Sequence, residues 1–229
     1  MAAIELYSTP LITDANLENY YRLDTTADSS GKGRTLTAVG SVSVGNTGGK
    51  FGNCAFSSQW DKTNHYYATT FAVGANTVSL GCWFLKNGAP TNDYEPTIMA
   101  IGNTNRVYLT VIKNTGYASF STFENGNYTN VTLSTNVNIC DNVWHLVVGV
   151  RDGTSVKLYV DGNLVGSGTG TARTVDANVF NLGQNDSTGI NSMPNAYIDD
   201  AFVFSRALSA TEISKLYNGN SGIFFHNFL

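Results

Sequence analysis

The sequence predicts an all-β protein, an antiparallel β-sandwich (jelly roll) that ends in one short C-terminal α-helix. Three observations predict this fold. Turn signals built from Gly, Asn and Asp separate short segments in which apolar and polar residues alternate. The 229 residues include 23 Gly, 12 Tyr and 12 Phe but only 4 Pro, a composition that favours pleated strands and tight hairpin turns. A clear helix start is found only near the C-terminus.

The best-defined pair of strands lies in the middle of the chain. Residues 143–150 are almost continuously apolar, which is typical of a strand covered on both faces. The Asp152-Gly153 turn leads into residues 155–160, where three apolar side chains alternate onto one face. The same alternation predicts further strands over residues 77–85, 97–101, 106–113, 117–124, 128–134, 178–183 and 196–205.

The predicted helix begins with a capping box. Ser209 and Glu212 are spaced so that each side chain can satisfy a free backbone amide of the first turn. Ile213 and Leu216 follow at helical spacing, and Gly219 supplies a stop signal.

The chain is predicted to form one sandwich domain over residues 1–220, followed by an apolar tail over residues 221–229. An exposed apolar tail would be adhesive. We therefore expect it to pack on the sandwich, to mediate self-association, or to lead into a further segment. No apolar run approaches the roughly 20 residues needed to cross a bilayer, so membrane insertion is not expected. The first residues do not resemble a signal peptide.

The charge and the cysteine spacing argue against two kinds of binding site. The formal net charge is −4 and basic residues are not clustered, so we expect no nucleic acid partner. Cys54, Cys82 and Cys140 lack the spacing of a zinc site. They are either three buried thiols or one disulfide with a thiol left over.

Three groups of segments occur in an order that resembles the laminin-G-like (concanavalin A-like lectin/glucanase) family. They are residues 17–24, 28–33 and 49–56 near the start, 141–147 and 156–162 in the middle, and 197–209 near the end. The resemblance spans nearly the whole chain and implies a jelly roll with one concave and one convex sheet. Because lectins, adhesion modules and glycosidases share this fold, function must be argued from a site.

The resemblance also implies a structural calcium ion. Asp199 occupies the position of the aspartate that opens the closing strand in related sandwiches, and Asp28, Gly48 and Gly49 are candidate contributors from the N-terminal segments. Ca²⁺ prefers six to eight oxygen ligands from carbonyl-rich loops. The alternatives are that Asp28 only forms a turn and that Asp199 only accepts hydrogen bonds from buried backbone amides.

Paired carboxylates, which glycosidases need, are poorly represented. Glu95 has an acidic neighbour at strand spacing, Asp93, and both lie among prolines in a predicted loop. We therefore expect a protein that is not an enzyme.

A sugar site needs an aromatic platform beside amide and carboxylate groups. Candidates in three loops are Trp60, Asp61, Asn64, Tyr66, Tyr94 and Tyr128. The sequence thus predicts a recognition module that binds glycans or a partner protein surface, in an extracellular, cell-surface or virion-associated setting. A scaffold protein of a virion or cell surface is the alternative, and a glycoside hydrolase is a weaker one.

Overall fold

The computed structural model describes residues 11–57, 65–69, 76–91, 96–124, 132–172, 174–176, 179–184 and 195–222. Within these ranges the chain forms fifteen β-strands and one α-helix. They are β1 (Leu17–Tyr21), β2 (Thr37–Val39), β3 (Ser43–Thr47), β4 (Asn53–Ser57), β5 (His65–Thr69), β6 (Thr77–Lys86), β7 (Thr97–Ile101), β8 (Asn105–Val111), β9 (Tyr117–Glu124), β10 (Thr132–Asn138), β11 (His145–Asp152), β12 (Ser155–Val160), β13 (Asn163–Thr169), β14 (Val179–Leu182), β15 (Ala196–Phe204) and α1 (Ala210–Tyr217).

Two antiparallel sheets form the sandwich, which confirms the predicted fold class. In the described ranges, one sheet has eight strands in the order β13-β12-β11-β6-β15-β4-β3, with β1 also paired to β15. The other has seven strands in the order β10-β9-β8-β7-β14-β5-β2. Strand β15 pairs with β6 along one edge. Its other edge pairs first with β4 and then with β1, so the closing strand ties down both early segments.

Strand β11 begins two residues later than predicted. Val143 is 49% exposed. Its amide donates to the carboxylate of Asp141 at 3.1 Å, which makes residues 141–143 a turn. The turn chemistry of the aspartate outweighs the apolar character of the segment at this point.

The main core lies between the inward faces of the two sheets. Phe120 of β9 packs across it against Gly149 of β11, where a Cβ atom would lie 2.5 Å from the Phe120 ring. This close approach therefore requires glycine. Cys54, Cys82 and Cys140 are buried and unpaired, so the three-thiol alternative is the one adopted. Burial raises the pKa of each of these thiols.

A second, smaller core covers the outward face of the eight-stranded sheet. Ile213 and Leu216 of α1 belong to it, together with Trp83 of β6, whose ring stacks on Tyr217 at 5.9 Å. The helix starts as predicted, with both hydrogen bonds of the Ser209 capping box formed. No helix in the described part of the chain is long and apolar enough to cross a membrane.

Candidate functional site

The outward face of the seven-stranded sheet is polar and aromatic. Along β8, Val107, Leu109 and Val111 belong to the main core, so the alternating positions Arg106, Tyr108 and Thr110 point outward. Strand β9 presents the outward set Tyr117, Ser119, Ser121 and Phe123 by the same alternation. Helix α1 packs on the other sheet, which leaves this face to the strands and their loops.

Hydroxyl side chains are aligned across four neighbouring strands of this face. Thr97 pairs with Thr110, Thr110 with Ser119, and Ser119 with Ser134. We call these four residues the hydroxyl row. Its first three members are 0–1% exposed, and none of their hydroxyls makes a hydrogen bond within the protein. Ser134, on the edge strand β10, is exposed. A buried polar group without a partner costs about 1–3 kcal/mol, so the row holds unused capacity for hydrogen bonding.

One end of the same face carries an aromatic cluster, which consists of Arg106, Tyr108 and Phe123. The guanidinium carbon of Arg106 lies 4.1 Å from the centroid of the Phe123 ring and 5.8 Å from that of Tyr108. Arg106 Nη1 also donates to the carbonyl of Asn103 at 3.1 Å, which fixes the cation over the rings. All three cluster side chains are partly exposed. A ring face beside hydroxyl groups is the arrangement that a sugar requires, because sugars present both C–H faces and hydroxyls.

A second candidate site lies at the closing strand. Asp199 is fully buried, and its Oδ2 and Oδ1 accept from the amides of Phe51 and Asp200, both at 2.9 Å. Asp200 is 2% exposed and its Oδ1 accepts from the hydroxyl of Tyr20. We call Asp24, Asp199 and Asp200 the acidic cluster, because their charges interact.

Burial and mutual repulsion destabilise the charged form of this cluster. Burial, with a contribution from Asp24, raises the pKa of Asp199 to about 7. Burial and the neighbouring Asp199 charge raise the pKa of Asp200 well above its usual range. Asp200 Oδ2 makes no hydrogen bond within the protein. A cation bound here would stabilise the ionised carboxylates and use this free oxygen.

The residues around Asp199 fit a calcium ion in part. A Cβ atom on Gly49 would lie 2.9 Å from Asp199 Oδ2 and 2.6 Å from the carbonyl oxygen of Asn53, so glycine keeps this oxygen-rich space open. Among the described residues, no set of three His, Cys, Asp or Glu side chains is arranged to hold a metal. A cation would therefore also need carbonyl oxygens, as Ca²⁺ commonly does.

The structure brings Gly49 to Asp199, but it gives Asp28 another role. Asp28 accepts from the amides of Tyr20, Ser30 and Arg34 at 3.2, 2.9 and 3.1 Å and from the Ser30 hydroxyl at 2.8 Å. These bonds occupy its oxygens within its own turn, which is the alternative stated above. A Cβ atom on Gly48 would meet nothing within 4 Å, and no contact places Gly48 at the cluster.

Sequence reasoning missed Asp24 and Asp200. Adjacent residues of a regular strand point to opposite faces, so the Asp199–Asp200 doublet predicts one carboxylate on each side. The register of β15 instead shifts after Asp199, and Asp200 has φ of 45°. The adjacent aspartates, Asp199 and Asp200, were the available sequence signal for this cluster. The register shift that places both carboxylates together depends on how β15 pairs with the neighbouring strands.

The predicted sugar-binding loops are tested at one residue. Trp60, Asp61, Asn64, Tyr94 and Tyr128 lie outside the described residues, as do Asp93 and Glu95, and those assignments stay predictions. The assignment of Tyr66 to a sugar-binding loop is corrected by the structure. Tyr66 belongs to strand β5, is 3% exposed and packs in the main core, because the alternation of β5 turns Tyr66 and Ala68 inward.

Comparison with known proteins places the fold. A model of the concanavalin A-like lectin/glucanases superfamily matches residues 61–214. No curated protein sequence matches the chain. The binding domain of botulinum neurotoxin serotype D/C VPI 5993 superposes with a TM-score of 0.70 at 18% identity, covering 91% of this chain and 53% of that one. The chain thus spans about half the length of that toxin domain.

Two further solved structures were obtained with bound partners. Domain 4 of AbnA, an extracellular arabinanase of Geobacillus stearothermophilus, contains arabinotriose. It matches with a TM-score of 0.67 at 19% identity, covering 87% of this chain and 97% of that one. A botulinum neurotoxin DC binding domain in complex with rat synaptotagmin II matches with a TM-score of 0.69 at 16% identity, covering 89% of this chain and 51% of that one.

Proposed function

The chain belongs to the concanavalin A-like lectin/glucanases superfamily, and we propose that it is a non-catalytic module that binds carbohydrate outside the cell. The observation that carries the proposal is the outward face of the seven-stranded sheet, where the aromatic cluster adjoins the hydroxyl row. Its aromatic rings offer a platform for the C–H face of a sugar ring. The exposed member of the hydroxyl row, Ser134, can both donate and accept hydrogen bonds, as sugar hydroxyls do.

Several features support binding rather than catalysis. The acidic cluster brings carboxylates together, but Asp199 and Asp200 are buried and bound by backbone amides and Tyr20. Such carboxylates cannot reach a glycosidic bond, which a catalytic acid must contact. The similar solved structures are also binding domains, or a domain crystallised with a trisaccharide.

A calcium ion at the acidic cluster is a second part of the proposal. Asp199 and Asp200 would hold the ion together with carbonyl oxygens near Gly49, and Asp24 would add charge. The ion would neutralise the buried carboxylates and join β15 to the turn between β3 and β4. Its role would be structural, because the cluster lies on the other sheet from the hydroxyl row.

A partner protein surface is the other candidate ligand. One similar binding domain was solved in complex with rat synaptotagmin II, which supports a protein ligand as the alternative. Self-association through the tail at residues 221–229 remains a prediction, since residues 223–229 lie outside the described ranges.

The test is a glycan-binding screen of the wild-type protein in the presence of calcium, followed by titration calorimetry on the strongest ligands. Tyr108→Ala should weaken binding on the order of tenfold, as expected when a contact aromatic is removed. Tyr197→Ala is the matched control, because Tyr197 is also partly exposed and stacks on a phenylalanine, but on the eight-stranded sheet. Absence of glycan binding by folded protein would refute the proposal. Equal losses of glycan affinity in Tyr108→Ala and Tyr197→Ala would show that the binding site is not on this face.

A further inference from the structure

A carboxylate in the segment before β14 holds the turn between β7 and β8. Asp176 accepts from three successive backbone amides of this turn, at 3.2 Å from Asn103, 2.9 Å from Thr104 and 2.6 Å from Asn105. The amide of Asp176 donates in return to the carbonyl of Asn105 at 3.0 Å. Hydrogen bonds to a carboxylate are about twice as strong as neutral ones, so these contacts fix the conformation of the turn.

The core holds the segment that carries Asp176. Its neighbour Val175 is 1% exposed and belongs to the main core. On the side of the turn, a Cβ atom on Gly102 would lie 2.3 Å from the carbonyl oxygen of Asn105 and 3.0 Å from Val175, so this close approach requires glycine. Gly102 also has φ of 97°, which other residues rarely adopt. The turn therefore packs directly against the segment of Asp176.

The same turn anchors the aromatic cluster. Arg106 follows it directly in the chain, and Arg106 Nη1 donates back to the carbonyl of Asn103 at 3.1 Å. This hydrogen bond keeps the guanidinium carbon 4.1 Å from the centroid of the Phe123 ring and 5.8 Å from that of Tyr108. A continuous set of contacts thus runs from Asp176 through the turn and the guanidinium to the two rings.

We propose that Asp176 is a positioning residue for the carbohydrate platform: by fixing the turn at residues 103–105, it holds Arg106 against Phe123 and Tyr108 before a sugar arrives. This inference rests on the proposed function and adds to it a residue that acts through Arg106. A platform that is already ordered binds more tightly, because the ligand does not have to immobilise its side chains. Loss of order in one such side chain lowers affinity about 2- to 12-fold.

The first test needs no ligand. The ring current of an aromatic side chain shields a group stacked on its face, so the Arg106 side-chain protons should resonate upfield of those of an exposed arginine in nuclear magnetic resonance spectra of the full chain. Asp176→Asn removes one of the two carboxylate oxygens that hold the turn, and it should move the Arg106 signals toward the values of an exposed arginine. Unchanged Arg106 signals in this variant would overturn the proposal.

The second test measures the affinity for arabinotriose, xylotriose, maltotriose and sialyllactose by titration calorimetry. For each probe that the wild type binds, Asp176→Asn should lower the affinity about 2- to 12-fold. In an Arg106→Met background, the same substitution should have little further effect, because Asp176 acts through the guanidinium. An equal further loss of affinity in that background would show that Asp176 acts by another route and would overturn the proposal.

Asp28→Asn is the matched control, because Asp28 also accepts from three backbone amides, but next to β1 of the eight-stranded sheet. It should leave the Arg106 signals and the probe affinity unchanged. Unchanged affinity in Asp176→Asn, with binding still weakened in Tyr108→Ala, would overturn the positioning role and leave the proposed function intact. Binding of no probe by the folded wild type would count against the proposed function, and the Arg106 signals would still decide whether Asp176 orders the cluster.

Discussion

Replacing Asp200 by Asn should have opposite effects with and without calcium. The substitution preserves shape and keeps an oxygen for the Tyr20 hydroxyl, but it removes the charge beside Asp199. Without calcium, the wild-type cluster holds buried carboxylates that repel one another, so Asp200→Asn should be as stable as the wild type or more stable. With calcium, the variant lacks a ligand and should gain little.

The size of the calcium effect follows from linkage. At a calcium concentration a hundredfold above the dissociation constant, binding adds about 2.7 kcal/mol to the free energy of unfolding. A protein of this length gains about 2–4 °C in melting temperature per kcal/mol, which predicts a shift of about 5–11 °C for the wild type. Asp200→Asn should lose most of this shift.

The assay is thermal unfolding in the presence of chelator and in the presence of calcium, monitored by fluorescence or by calorimetry. Asp28→Asn is the control, because Asp28 accepts turn hydrogen bonds and has no role in the acidic cluster. It should lower the melting temperature equally in both conditions and keep the calcium shift. A wild-type melting temperature that chelator leaves unchanged would refute the calcium site. A full calcium shift in Asp200→Asn would refute the ligand assignment.

Three further predictions concern the scaffold. Gly149→Ala should destabilise the protein by about 1–3 kcal/mol in urea unfolding, because the new methyl group collides with Phe120, and Phe120→Leu should reduce that cost. An undiminished penalty in the double variant would contradict this account. Burial alone would lower the pKa of His145, but hydrogen bonds to the carboxylates of Asp161 and Asp141 outweigh burial and raise it. The stabilisation from His145 should therefore be complete below about pH 6.5 and should disappear as pH rises through the folded pKa, a trend that His145→Gln should remove. Ser209→Ala should lower the free energy of unfolding by about 0.5–2 kcal/mol because it deletes the helix cap, and equal stability would show that the cap contributes nothing.

Most strands after residue 76 could be predicted closely from the sequence, but β10 ends at Asn138, four residues beyond the predicted end at residue 134. Strand β12 has the predicted bounds, and strand β7 does as well. Their alternation and their flanking turns are local properties of the chain. Residues 65–69 were not predicted as a strand, because the polar and aromatic groups before them resembled a binding loop. Their assignment depends on pairing with β14 and β2, which local sequence does not specify.

The sequence by itself determined the fold class and the helix cap, because periodicity, turn chemistry and motif order are encoded over short stretches of chain. Only the tertiary structure decided that Asp24 and Asp200 join Asp199, while Asp28 remains in its turn. It also decided that Thr97, Thr110 and Ser119 share one row. These groupings depend on strand register and on a bulge, which are set by the packing of segments far apart in sequence.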